Sequence, residues 1–195
     1  MFDSILHLIA DEPQAYFILL GLCAGDAILP ALPSESAVIL AGTLCVVGDL
    51  HVAPVFASAA LGAFIGDNTS YAIGRYAGHP VRQRFFDGEK GRRTLEWARS
   101  QLDKRGGLLV LVARFVPGGR TATTFTCGLT RFSWMRFGVF SALAAVLWAL
   151  YGTLLGYFFG RMFEDRPWLA VLIALGIAGA ITIGVEGIRR VRERA

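Results

Sequence analysis

The sequence predicts an all-α polytopic membrane protein, built as an inverted repeat with two opposed re-entrant helical hairpins plus three to four transmembrane helices. Three observations lead there. Of 195 residues, 54% are hydrophobic and 17% charged, with a mean hydropathy of +0.53, whereas soluble domains carry about one quarter charged residues. Two apolar regions are interrupted by proline beside charged residues. Similar segments also recur in one order: an offset of 84 relates Pro33 to Pro117, 83 relates Ser58 to Ser141, and 82 relates Ile73 to Leu155.

The chain reads as a single membrane domain over 1–195. "MFDSILHLIADEPQ" has no basic n-region and no A-x-A-like cleavage site, so it is expected to remain as a short amphipathic helix at the membrane surface. The first broken region covers 14–48; a span ending near Leu29 and a shorter re-entrant piece after Pro30 and Pro33 are expected there. Val52 to Ala72 is 21 residues, about 31 Å as a helix and enough to cross the hydrocarbon core. A basic segment occupies 75–106, and the second broken region 107–130. A further span begins near Phe137, with Trp134 and Tyr157 suited to its interfacial ends. The last span is 168–188, where Gly176, Ala180 and Gly184 form a small-residue packing stripe.

Proline removes a backbone donor, and irregular backbone survives at membrane depth only where protein or water satisfies its polar groups. The breaks at Pro30–Pro33 and at Pro117-Gly118-Gly119 therefore read as re-entrant hairpins lining a cavity.

Charge sets the orientation. Arg75 to Arg105 holds nine Lys or Arg against four acids, and the tail "GIRRVRERA" four Arg against one Glu. Both are expected in the cytoplasm as flanks of membrane spans, and no nucleic-acid partner is implied. The Val52 span then runs inward and the Phe137 span outward, which makes the two halves inverted. In such folds broken helices from the two halves meet near the midplane at the substrate site.

Arg114 and Arg120 are costly at bilayer depth, about 2.5 to 3.5 kcal/mol each on insertion scales, so they must face a partner or a wet cavity. A guanidinium fork suits phosphate or carboxylate. The half-helix starting at Gly118-Gly119 with Thr121 adds free N–H groups that attract an anion. The competing reading is that the arginines pair with Asp26 and Glu35 to hold two hairpins together. Asp26 and Glu35 are also candidate proton carriers, because the charge of a poorly hydrated acid beside an arginine depends on what else that arginine binds. For Glu35 the alternative is a first-turn acid following an N-cap Ser34. Asp67, Asn68 and Tyr71 of "GDNTSY" are secondary candidates that either line the cavity or bond between helices. Thr121, Thr123, Thr124 and Thr126 either hydrate the pocket or bond back to helix carbonyls. Three dispersed cysteines and three distant histidines show no metal-ligand spacing, so no metal or cofactor is expected.

"RFVPGGRT", "GDAILPALPSES" and "IGDNTSYAIGRYAG" resemble the arginine, acidic-then-proline and Gly-Asp motifs of the DedA family, which is related to the SNARE-associated Golgi (VTT) proteins. The resemblance covers about Tyr16 to Ile188. It implies a bacterial inner-membrane protein that moves lipid between leaflets, undecaprenyl phosphate or phosphatidylethanolamine, with coupling to protons. Carried over by position, the essential acids are Asp26 and Glu35 and the essential arginines Arg114 and Arg120. Asp26 is shorter than the Glu often found there. The favoured cargo is undecaprenyl phosphate, since a phosphate monoester suits two arginines better than a zwitterion does. A phospholipid flippase or scramblase and a non-transporting scaffold stand as alternatives, and a homo-oligomer is left open. A membrane phosphatase would need a nucleophile or a general acid such as histidine beside the arginines. No histidine lies near either break, so a non-enzymatic role is expected.

Overall fold

A computed structural model describes residues 13–29, 32–47, 50–78, 88, 89, 93, 96, 99–102, 104, 106–115 and 119–162. Every regular element among them is helical: α1 Gln14–Gly25, α2 Ser34–Val47, α3 Val52–Ala72, α4 Leu108–Ala113, α5 Gly119–Leu129 and α6 Trp134–Met162, with a π-helical turn at Ile73–Ala77 extending α3. The fold is all-α. The N-terminal segment, most of the basic segment, the span at 168–188 and the C-terminal tail lie outside the described residues.

Both apolar regions break where proline was expected to break them. α1 has 12 residues and α2 has 14, about 18 Å and 21 Å, so neither crosses a bilayer alone. α1 ends at Gly25 rather than near Leu29; the amides of Ile28 and Leu29 both turn back to the Gly25 carbonyl at 3.0 and 2.8 Å. The residue before a proline is pushed out of helical geometry, which helps end the helix ahead of Pro30. Ser34 is not the N-cap that the sequence suggested. The Ala37 amide bonds to the Pro33 carbonyl at 3.1 Å, and the Ser34 hydroxyl is drawn instead to Asp26. In the second region α4 stops at Ala113 and α5 starts at Gly119.

α6 has 29 residues, about 43 Å, and among the described residues it alone is long and apolar enough by length and composition to cross a membrane. It starts at Trp134, three residues before the expected Phe137. α3 keeps the expected bounds, but its last turns carry Asp67, Asn68, Thr69 and Ser70.

Large apolar side chains stand on the outside of the described helices as well as in the core. α6 turns Ser141, Ala144, Ala145, Gly152, Thr153, Gly156 and Gly160 inward and exposes Val139, Leu143, Val146, Leu147, Leu150, Leu154 and Phe158. Soluble monomers rarely expose such a continuous apolar face, whereas small residues inside let membrane helices approach closely. Gly152, Gly156 and Gly160 recur every four residues and form the groove for α2. A Cβ on Gly156 would stand 2.1 Å from the Ile39 carbonyl oxygen, and one on Gly42 would stand 2.5 Å from that of Thr153. Thr43 Oγ1 seals this contact by donating to Gly156 O at 3.2 Å. The pair Gly62 and Gly66 on α3 serves α1 likewise, their Cβ positions falling 2.3 and 2.4 Å from the carbonyl oxygens of Leu20 and Ala24. Helix contacts follow one scheme: α1 packs on α3, α4 on α6, α2 on α6, and α5 on α3 and its π turn, with α3 and α6 touching at the centre.

α5 ends in a left-handed turn. Arg131 has φ 56°; its amide bonds to Gly128 O at 3.0 Å, and that of Phe132 to Cys127 O at 2.9 Å. This double bond pattern is a Schellman cap, whose left-handed position usually holds glycine.

Candidate functional site

Asp67 is the hub of the buried polar residues. It sits on α3 at 2% exposure. Arg114 Nη1 donates to its Oδ2 at 2.7 Å and Arg120 Nε to its Oδ1 at 2.7 Å. Ser141 of α6 adds a hydroxyl to Oδ2 at 3.0 Å. A carboxylate accepts through four lone-pair sites, and three of them are filled here by two guanidinium donors and one hydroxyl.

Arg120 is shared. Its Nη1 donates to Asp26 Oδ2 at 2.9 Å and its Nη2 to the Ala63 carbonyl at 3.2 Å. Asp26 also accepts from Ser34 Oγ at 2.7 Å. Asp26 follows the last residue of α1, Ser34 opens α2, and Arg120 is the second residue of α5. The two proline breaks therefore meet through one guanidinium. Asp26 is the more open carboxylate, with its side chain 19% exposed against 2% for Asp67.

Arg114 follows the last residue of α4, and its guanidinium carbon lies 4.9 Å from the centre of the Trp148 ring, a cation–π contact. Its Nε and Nη2 are buried without a hydrogen-bond partner among the described residues. Unpaired buried donors are rare in native proteins, and here they belong to a planar fork already anchored at one corner.

Of the residues expected at the site, Arg114, Arg120 and Asp26 converge, and Asp67 joins them at the centre. Glu35 lies in the first turn of α2, half-buried, and enters no ion pair among the described residues. The expected pairing of an arginine with Glu35 thus falls to Asp67. Gly119 opens α5, Thr121 is half-buried beside Arg120, and Gly118 lies outside the described residues. Thr124 turns inward and bonds to Ser70 Oγ at 3.0 Å and to Arg120 O at 3.0 Å. Asn68 and Tyr71 point elsewhere. Asn68 Oδ1 accepts from the Trp134 indole at 2.9 Å, while Tyr71 donates to the Phe132 carbonyl and accepts from Arg75 Nη1 at 2.7 Å. They fasten α3 to the start of α6, and Trp134 is accordingly held by protein as well as suited to an interface.

Ser34, Ser141 and Trp148 were not legible as site residues. Ser141 stood out only as the start of a recurring Ser-Ala pair. For Asp67 a signal existed: a carboxylate near the end of an otherwise apolar 21-residue helix needs a cation from another helix.

The chain is also similar in sequence to known membrane proteins. A VTT domain model matches residues 32–158. Protein DedA of Escherichia coli (strain K12) is 32% identical over 208 aligned residues, covering 100% of this chain and 95% of its own. Inner membrane protein YghB of the same strain is 29% identical over 180 residues, covering 88% of this chain and 81% of its own. A membrane protein of Synechocystis sp. is 28% identical over 174 residues, covering 83% and 78%. No solved structure matches the chain significantly. With the domain match spanning well over half of its residues and full-length identity to Protein DedA, this chain belongs to the DedA family of VTT-domain membrane proteins.

Proposed function

We propose that this membrane protein is a lipid translocase that moves an anionic lipid phosphate, undecaprenyl phosphate, between the leaflets of the bacterial inner membrane. The observation that carries the reading is the Arg114 fork, with Nη1 on Asp67 and with Nε and Nη2 buried without partners among the described residues. A phosphate monoester brings several acceptor oxygens, which match the planar donors of a guanidinium. Arg120 supplies the second cation, and its link to the more exposed Asp26 is the one that a phosphate displaces most cheaply. Arg120 is also the second residue of α5, whose free N-terminal amides favour an anion.

The packing scheme supports an inverted repeat in which α1, α2 and α3 correspond to α4, α5 and α6. Each short helix after a break crosses to the long helix of the other half, α2 to α6 and α5 to α3, as two re-entrant hairpins exchanged about a pseudo-twofold axis require. On this reading the cytoplasm holds the basic segment and the C-terminus.

Proton coupling is part of the same proposal. When phosphate takes Arg120, Asp26 loses its cation and keeps only the Ser34 hydroxyl, which makes it the proposed proton acceptor. Phosphate binding and proton uptake then reinforce each other. Glu35, half-buried beyond the ion pairs, is the second acid of this relay. The alternative reading, a phospholipid flippase or scramblase, uses the same arginines without a coupling acid. The four paired charges also fit a scaffold in which the arginines only clamp the breaks.

The test is headgroup exposure in proteoliposomes. Wild type is expected to expose undecaprenyl phosphate at a pH-dependent rate, and Arg114→Lys and Arg120→Lys to lower that rate at least tenfold while still inserting. Transport at the wild-type rate by both lysine variants overturns the phosphate fork. Retention of the wild-type pH profile by both Asp26→Asn and Glu35→Gln removes the coupling and leaves scrambling. A wild type that moves no lipid leaves the scaffold.

A further inference from the structure

A separate cationic feature lies where the helical residues 99–102 meet the α5–α6 turn. Leu102, 2% exposed, is buried with Tyr71, Phe132 and Phe137, which brings the basic segment against the membrane helices at this point. Beside it opens a cavity of about 160 Å³ lined by Arg99, Arg131 and Arg136, with Thr130, Ser133 and Leu102. The Thr130 hydroxyl already donates to Thr126 O at 2.8 Å, so Ser133 supplies the remaining hydroxyl proton.

Three solvent-exposed arginines line one small open cavity and give it a locally positive potential that attracts an anion. None of the three is in an ion pair among the described residues. Arg131, moreover, stands at the left-handed position of the Schellman cap, where a glycine would sit without strain. The chain thus keeps an arginine where the backbone disfavours one, and a strained residue is a reason to look for a role.

Depth is indicated by the aromatic residues alongside. Trp134, next to Ser133, and Tyr76 are 41% and 72% exposed, with ring centres 6.3 Å apart. Exposed Trp and Tyr belong at the headgroup level of a membrane, and basic pockets between membrane helices at that level hold acidic headgroups. We propose that the cavity formed by Arg99, Arg131 and Arg136 binds the phosphate of an acidic phospholipid headgroup, at a site distinct from the Arg114–Arg120 cluster. The lipid would tie the basic segment to the α5–α6 turn. The proposal does not depend on the translocase reading.

The experiment uses the full chain, delipidated in a neutral detergent and titrated with phosphatidylglycerol, phosphatidylcholine or inorganic phosphate, with bound lipid counted by native mass spectrometry. Wild type is expected to bind phosphatidylglycerol at least tenfold more tightly than phosphatidylcholine, and Arg131→Gly with Arg136→Gln to abolish that preference. Displacement of the lipid by millimolar inorganic phosphate assigns recognition to the phosphate group alone, and failure to displace it assigns it to the whole headgroup; both support the site. Arg131→Gly removes the charge while relieving the backbone, so this single variant carries the test should Arg136→Gln fold poorly. No preference for the acidic lipid in wild type overturns the proposal. So does a preference that survives in the variants, which places the lipid at Arg114 and Arg120 instead.

Discussion

Arg114 and Asp67 form a 2.7 Å ion pair in which each side chain is only 2% exposed, although 47 residues separate them in sequence. Arg120 reaches the other oxygen of the same carboxylate at 2.7 Å. Removing one partner of a buried pair leaves an uncompensated charge, which costs about 3–5 kcal/mol.

Asp67→Asn strands Arg114 and leaves Arg120 with Asp26 alone. It is expected to destabilise the protein by at least about 3–5 kcal/mol, read as a large fall in melting temperature in detergent. Asp26→Asn leaves Arg120 on Asp67 and is more exposed, so its fall is expected to be much smaller. Equal falls for the two variants would contradict the hub assigned to Asp67.

Gly156→Ala and Gly138→Ala make a matched pair on α6. The first puts a methyl 2.1 Å from the Ile39 carbonyl oxygen, while the second meets nothing within 4 Å. Overpacking costs about 1–3 kcal/mol, whereas alanine for glycine in an open helix gains about 0.5–1 kcal/mol. Thermal unfolding is expected to move in opposite directions, and a shared direction would remove the α2–α6 groove.

Arg131 offers a test of backbone strain. Left-handed geometry costs an ordinary residue about 1–2 kcal/mol, partly offset by the greater freedom of an unfolded glycine. Arg131→Gly is therefore expected to raise stability by up to about 1 kcal/mol, and Arg131→Val to lower it, as checked by thermal unfolding. A gain with valine would mean that the turn does not need φ 56°.

Topology is tested by cysteine accessibility. The proposed orientation puts Gln83 and Glu193 on the cytoplasmic side, so cysteines put there are expected to resist an impermeant thiol reagent on intact cells and to react after permeabilisation. Labelling of either in intact cells reverses the orientation.

In the sequence itself, local chemistry was enough to place both breaks, the bounds of α3 and the pair of arginines beside the second break. Proline and glycine act within a turn of where they stand, and an arginine in apolar sequence declares its need for a partner wherever it folds. Which partner it meets is not a local matter. The sequence offered Asp26 and Glu35 as partners and held Asp67 only as a secondary residue lining the cavity or bonding between helices, because contacts spanning 47, 53 and 94 residues depend on how α1, α3, α4 and α5 pack. The glycine grooves of α3 and α6 set that packing by letting backbones touch. They brought Asp67 under both arginines, left Glu35 outside the ion pairs, and turned Ser34 and Ser141 from ordinary helix residues into carboxylate donors. The tertiary structure decided the site because the energy of a buried charge depends on the position of its counter-ion within an ångström or so, a distance that only the packed helices define.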